Sequence, residues 1–240
     1  MPGPIRLLTF DLDNTLWPVD EVIIAANALM REWLDAQTPG FNEAFSDTQM
    51  LNLRQALIAR RPNLRHDLSA MRIAILNSAL TQFGHDNRNA KRIAEGAFKI
   101  FLDARHQVRY YPDVEDTLAQ LASRYTLAAL SNGNADVSRL AVNQHFSFSY
   151  SAASVGASKP HPAMFEAALT QANLNARSAI HIGDHLVDDI QGAHAVGMQT
   201  IWLDQGGDAA HAEPEDSVTP GRRVTTVADI CAAVAALDVD

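Results

Sequence analysis

From Tyr110 to its end, the chain alternates short apolar runs with stretches of helical period. That alternation restricts the fold more than any other feature. "PDVEDTLAQLASR" carries apolar residues at helical spacing, with Pro112 close to its start. "YTLAAL" reads as a strand leading through the turn "SNGNA" into the next helix, and "FSFSYSA" as another short strand. "SKPHPAMFEAALTQAN" begins a helix after two prolines. "SAIHIGD" is a strand, "LVDDIQGAHAVG" a helix closed by Gly197, and "MQTIWLD" a strand. Gln205 to Arg223 is polar and rich in Pro and Gly, a loop, and "TVADICAAVAAL" is the last helix. Strands that alternate with helices predict a parallel sheet covered on both faces. With the apolar run from Ile5 to Phe10 as a further strand, the expected core is a doubly wound, Rossmann-like α/β sheet of about five strands.

The stretch between that first strand and Tyr110 has a different character. From Val19 to about Arg105 the pattern is helical, with almost no strand signal. Pro39 and Gly40 stop the first helix, Ser46 is placed to cap the second, and Gly84 ends the third. Four helices joined by polar turns make an inserted module. The expected division is 1–16 with 107–240 as the α/β core and 17–106 as an all-helical cap. Ligands on parallel sheets bind beyond the carboxyl ends of the strands. A module entering right after the first strand is therefore expected to hang over that end and to open and close there.

The chain has 240 residues, 47% of them hydrophobic, enough for a sizeable core. No apolar run is long enough to predict a membrane span, and the N-terminus lacks the long apolar region of a signal peptide. The expected location is cytoplasmic. A net charge of −9 disfavours nucleic acid and anionic membranes as partners, but leaves room for a small anionic substrate at a metal-bearing site. The single cysteine, Cys231, allows no internal disulfide and no cysteine metal site; it reads as a small hydrophobe in a helix.

Polar clusters sit at the strand ends. They are Asp11 and Asp13; Ser131 and Asn132; Lys159; and Gly183, Asp184, Asp188 and Asp189. In a parallel sheet all of them lie at one edge. Asp11 and Asp184 provide hard oxygen ligands for Mg²⁺. A carboxylate attacks a phosphate dianion poorly because both are negative; a metal and a lysine remove much of that repulsion. Asp11 is then placed to attack phosphorus, and Asp13 to protonate the leaving oxygen and deprotonate water. Ser131 and the backbone of "SNGNA" offer donors to the phosphoryl group at a helix N-terminus.

"DLDNT", "SN", "KP" and "GDHLVDD", in that order and each after a strand, resemble the four motifs of the haloacid dehalogenase (HAD) superfamily. The helical insertion resembles that family's C1 cap. The resemblance implies Asp11 as nucleophile and Asp13 as general acid/base. It implies Mg²⁺ held by Asp11, the carbonyl of Asp13 and Asp184, and the phosphoryl group held by Ser131, Asn132, Lys159 and Thr15. It also implies a further acid, Asp189 in preference to Asp188, that orients Lys159 or a metal-bound water. Within the superfamily, "LTFDLDNTLW", "SNGNA" and "HIGDHLVDDIQGA" most resemble bacterial phosphatases acting on FMN and on 5-amino-6-(5-phospho-D-ribitylamino)uracil, a riboflavin precursor.

The implied activity is hydrolysis of a small phosphate monoester by a monomer or homodimer. A 2-haloacid dehalogenase, a sugar phosphomutase and a non-catalytic phospho-ligand binder share the scaffold. Asp13 and the intact "GD" speak against the dehalogenase, "GD" in place of an acidic pair against the phosphomutase, which shares the second Asp, and the presence of all four clusters against the binder. Each motif alone is ordinary turn chemistry; the weight lies in their joint register with four strands. His181 and His185 straddle a strand end, which does not suit a zinc site. Arg54, Arg60, Arg61 and Arg65 read as a solvated helix face. Trp17 reads either as a stacking platform for substrate or as a packing residue where the insertion begins.

Overall fold

The computed structural model describes residues 4–206 and 218–238. In chain order the elements are β1 (Leu7–Phe10), α1 (Val19–Gln37), α2 (Phe41–Ala44), α3 (Asp47–Arg60), α4 (Leu68–Phe83), α5 (Asn87–Arg105) and α6 (Val114–Ala122). Then come β2 (Thr126–Ser131), β3 (Phe148–Ser151), α7 (Ala152–Val155), α8 (Ala163–Ala172), β4 (Ala179–Gly183), α9 (Gly192–Ala195), β5 (Gln199–Leu203), β6 (Arg222–Val224) and α10 (Ile230–Asp238). The chain divides into two compact units, Met1–Pro18 with Arg109–Asp240, and Val19–Val108.

The first unit is built on one parallel sheet of order β3-β2-β1-β4-β5-β6. Alternating side chains serve its two faces. Leu7, Ala128, Leu130 and Ala179 pack with Met164, Phe165 and Ala168 of α8 and with Ala193 of α9. Helices α6 and α10 pack on each other and against β2 and β5. Chain order runs outward one way from β1 and the other way from β4, so the topological switch point lies between these two strands. Asp11 and Asp184 follow β1 and β4 directly, and the Asp11 N–H bonds the Ile182 carbonyl at 2.9 Å.

The sheet has six strands where about five were expected. The sixth, Arg222–Val224, falls at the end of the stretch read as loop, of which 207–217 lies outside the described residues. Only Val224 of its three residues is buried. The strand exists because the edge of β5 offers unpaired backbone groups, a tertiary cause that leaves no side-chain pattern. The helix expected after "SNGNA" is also absent. Two short 3₁₀ turns stand there, Val137–Arg139 and Ala141–His145, the first capped by Asp136 through the Ser138 N–H. Turn-forming Ser, Asn and Asp side chains compete with helix propagation in this stretch.

The second unit is helical. Ser46 and Gln49 form a reciprocal capping box on α3, Asp67 and Asp86 cap α4 and α5, and Gly84 ends α4 at φ 117°. The apolar stripe of α5 (Ala90, Ile93, Ala94, Ala97, Phe101) packs with α1 and α4 residues such as Met30, Leu34, Leu76 and Leu80. Helix α3 contributes no buried residue.

Candidate active site

The site grows from the ends of β1, β2 and β4 and the loop before α8. Lys159 is buried and spends its ammonium on three acceptors: Asp11 Oδ1 at 2.6 Å, Asp189 Oδ1 at 2.6 Å and the Leu130 carbonyl at 2.7 Å. Burial opposes its charge, yet Asp11 and Asp189 outweigh burial and hold it above the ordinary lysine value. Asn132 fixes the lysine's backbone. Its Oδ1 accepts from the Lys159 N–H at 2.8 Å, and its Nδ2 donates to the Lys159 carbonyl at 3.0 Å and to Asp188 at 3.1 Å. The side-chain amide expected on a phosphoryl group is thus engaged in bracing the lysine. The buried Ser131 hydroxyl accepts from the Gly133 N–H at 2.9 Å and shapes the same turn.

Asp189, not Asp188, holds the lysine. Besides Lys159, it accepts from His181 Nε2 at 3.0 Å and from the His185 backbone N–H at 3.0 Å. Burial disfavours its charge, but Lys159 and His181 override burial and keep it well below the usual carboxylate range. The approach of Asp189 requires glycine at 183, because a Cβ there would lie 2.3 Å from Asp189 Cγ. Asp188 is half-buried, and burial raises its carboxyl.

Asp11 and Asp184 are the opposite case. Burial pushes Asp11 well above the ordinary aspartate value; Lys159 pulls it back, but Asp189 and Asp184 add repulsion. Burial, with Asp189 next, raises Asp184 to about 6. Thr15, expected on the substrate, is buried and bridges the two acids: its hydroxyl donates to Asp184 Oδ1 at 2.9 Å and lies 3.5 Å from Asp11 Oδ2. Oxygens of Asp11, Asp184 and Asp189 lie within 4.8 Å of one another. Lys159 is the single lysine among these acids and is claimed by Asp189 as well as Asp11. Asp11 and Asp184 are left under-compensated, and hard oxygens in this state suit a divalent cation such as Mg²⁺. Asp13 stands outside this acid cluster. The Trp17 indole donates to its Oδ1 at 2.9 Å. Trp17 is itself buried and packs edge-on against Tyr110 at 5.8 Å, a packing and orienting residue rather than an exposed platform.

Two contributors carry no motif. Thr9 and His181 are register partners on β1 and β4, and Thr9 Oγ1 lies 2.8 Å from His181 Nδ1. Burial lowers the His181 pKa and Asp189 opposes that shift; the Asp189 carboxylate can only accept, so Nε2–H donates to it and Nδ1 faces the Thr9 hydroxyl. The available signal is two polar residues at matching positions of otherwise apolar strands. His185, for which the sequence offers no role, caps the π-helical turn Leu186–Gln191 by accepting from the Asp188 N–H at 3.0 Å.

A doubly wound parallel sheet thus carries acids at its switch point, with a lysine ion-paired between two of them. Residues 5–197 match the family model of the haloacid dehalogenase-like hydrolases. The chain belongs to that family. It is 31% identical over 201 residues to the 5-amino-6-(5-phospho-D-ribitylamino)uracil phosphatase YigB of Escherichia coli, covering 84% of each chain. Glyceraldehyde 3-phosphate phosphatase of Pyrococcus furiosus is 27% identical over 210 residues, covering 84% of this chain and 82% of that protein. A crystal structure described as 2-haloacid dehalogenase from Pseudomonas syringae superposes with a TM-score of 0.91 at 37% identity, covering 97% of this chain and 99% of that one. Among the described residues no helix is long and apolar enough to cross a membrane.

Proposed function

We propose that the protein is a Mg²⁺-dependent phosphatase that hydrolyses a small phosphate monoester through an aspartyl-phosphate. The observation that carries this reading is the imbalance at the strand ends: Asp11 and Asp184 are raised together while Lys159 is already shared with Asp189. Asp11, Asp184 and the carbonyl of Asp13 would hold the cation, which when bound supplies positive charge against the incoming phosphate.

Asp11 attacks phosphorus as the ester P–O bond breaks, and Asp13 gives its proton to the departing oxygen. Water then attacks phosphorus, Asp13 takes the water's proton, and the Asp11–phosphorus bond breaks to release phosphate. Lys159 counters charge on Asp11, Asp189 keeps the ammonium in place, and the backbone of the Ser131–Asn132 turn faces the phosphoryl oxygens. Thr15 acts by holding Asp184 against Asp11. The relatives direct the choice of substrates for assay: 5-amino-6-(5-phospho-D-ribitylamino)uracil first, then FMN and small sugar and triose phosphates. Phosphate release that depends on Mg²⁺ and stops with EDTA supports the reading; release indifferent to EDTA overturns its metal dependence.

The name of the Pseudomonas syringae structure favours one competing reading, dehalogenation of a 2-haloacid. There Asp11 would displace halide from carbon, a step that needs no proton donor to the leaving group. The indole-oriented carboxylate of Asp13 has no work in that reaction. Halide release from 2-chloropropionate without metal, and no phosphate release from any ester, would decide for it.

A further inference from the structure

The helical unit contains a cavity of about 470 Å³ formed by α1, α2, α3 and α4, a volume typical of small-molecule sites. Its polar lining is Asn27, Arg31, Asn42, Asp47 and Arg72; its apolar lining includes Met30, Phe41 and Met50. Three charges border it. Arg31 and Asp47 pair with each other, which leaves Arg72. One flat face of the Arg72 guanidinium lies 3.7 Å from the centroid of Phe101, and Nη1 donates to Asn27 Oδ1 at 2.8 Å. Among the described residues no carboxylate pairs with it.

Taking a cation out of water without a partner is costly, and folded proteins seldom leave one so. Burial alone lowers the Arg72 pKa to about 10, with no acid opposing it. A solvated surface arginine would show neither feature. The ring of Phe101 and the oxygen of Asn27 hold the guanidinium but bring no negative charge. What they leave over is the fork of N–H donors that fits an oxyanion bidentately.

From this arrangement the geometry points to a ligand site in the helical unit itself: Arg72 binds the oxyanion of a small monoanion whose flat apolar body lies against Met30, Phe41 and Met50. A single negative charge is the complement, since the lining carries one positive charge in excess. Carboxylate and sulfonate share this chemistry, and the assay separates them. The site is independent of the reaction proposed above and stands whether or not that reaction is found.

The test uses the full chain with 1-naphthoate, 1-naphthalenesulfonate and the neutral 1-naphthamide, followed through the methyl NMR signals of its six methionines. Met30 and Met50 line the cavity, whereas Met164 and Met198 lie in the core of the other unit. The expected result is saturable shifts of Met30 and Met50 with one or both anions, at least about tenfold tighter than with the amide, roughly 1.4 kcal/mol. The tighter of the two anions names the oxyanion. In Arg72→Met the advantage over the amide disappears while the Met164 and Met198 signals stay in place. In Arg72→Lys, which keeps the charge but not the fork, it falls severalfold. Equal binding of anion and amide overturns the proposal, and so do shifts confined to Met164 and Met198. Undiminished anion binding in Arg72→Met overturns it too. The anion–amide comparison on the unmodified chain needs no variant and decides the matter if Arg72→Met does not fold.

Discussion

The two units are each unbalanced in charge, and in opposite senses. At the sheet edge, one lysine pairs with Asp11 and Asp189 beside two further aspartates, and the deficit falls on Asp11, Asp184 and Asp188. In the helical unit, three charges border the cavity and the remainder is a cation, Arg72. The sheet edge is also the more tightly determined. Lys159 has three acceptors and Asp189 three donors, whereas Arg72 has one hydrogen bond and one ring. A reaction centre must hold its atoms in one geometry, and over-determination achieves that. The looser cavity is fit to receive a ligand, not to transform one.

The largest expected break in this contrast is Asp11→Asn. It removes the proposed nucleophile, and phosphate release should fall by at least about 10³-fold in a colorimetric assay. The same change removes a buried, under-compensated charge, so the metal-free protein should melt no lower than wild type. Loss of both activity and fold would mean that Asp11 is structural. Asp13→Asn comes next: loss of the proposed proton donor should cost about 10²–10⁴-fold in kcat, with KM little changed. Trp17→Phe keeps the Asp13 carboxylate and loses only its indole donor, so its expected cost is smaller, about tenfold.

His181→Leu sharpens the comparison from the other side. It removes one of three donors from Asp189 and leaves Lys159 in place, so the expected loss of activity is about 10-fold to 100-fold, the range seen when outer partners of a reacting group are removed. Activity equal to wild type would show that the Thr9–His181 pair does no more than fill the core.

The smallest effect expected is a pH dependence. In the metal-free protein Asp184 sits at about 6 against an ordinary 3.8. Its folded form therefore binds a proton more readily than its unfolded form. That contribution to stability is complete below about pH 4 and lost as pH rises through about 6. Mg²⁺ needs the ionised acids, so the rise in Tm that it produces should be near zero at pH 4 and grow through the same window. At about 100 times its Kd the gain is about 2.7 kcal/mol. A Tm increment independent of pH would separate the metal from Asp184.

The sheet and the charged cluster at its edge were legible because each leaves a local mark: an apolar run for a buried strand, then an acid, a lysine or a Gly-Asp pair at its end. Asp11, Lys159, Asp184 and Asp189 all meet at the switch point. What escaped was whatever depends on a neighbour distant in sequence. β6 is made by the edge of β5, and the Thr9–His181 pair by the register of β1 on β4. Asn132 and Thr15 were read as ligands for substrate because their type and place allow it. Only three-dimensional geometry shows their side chains committed to Lys159 and Asp184. Arg72 lies in an ordinary helical repeat, and nothing in its sequence surroundings reports that no carboxylate among the described residues pairs with it.

The central claim is that Asp11 carries the phosphoryl group. The most direct measurement is acid quenching of the enzyme during turnover of its best phosphate ester with Mg²⁺, followed by mass spectrometry of the peptide holding Asp11 and Asp13. The account predicts a fraction of that peptide heavier by one phosphoryl group, with the group on Asp11 and absent from Asp11→Asn. Full turnover with the peptide unmodified at every quench time, or the group found on another residue, would contradict it.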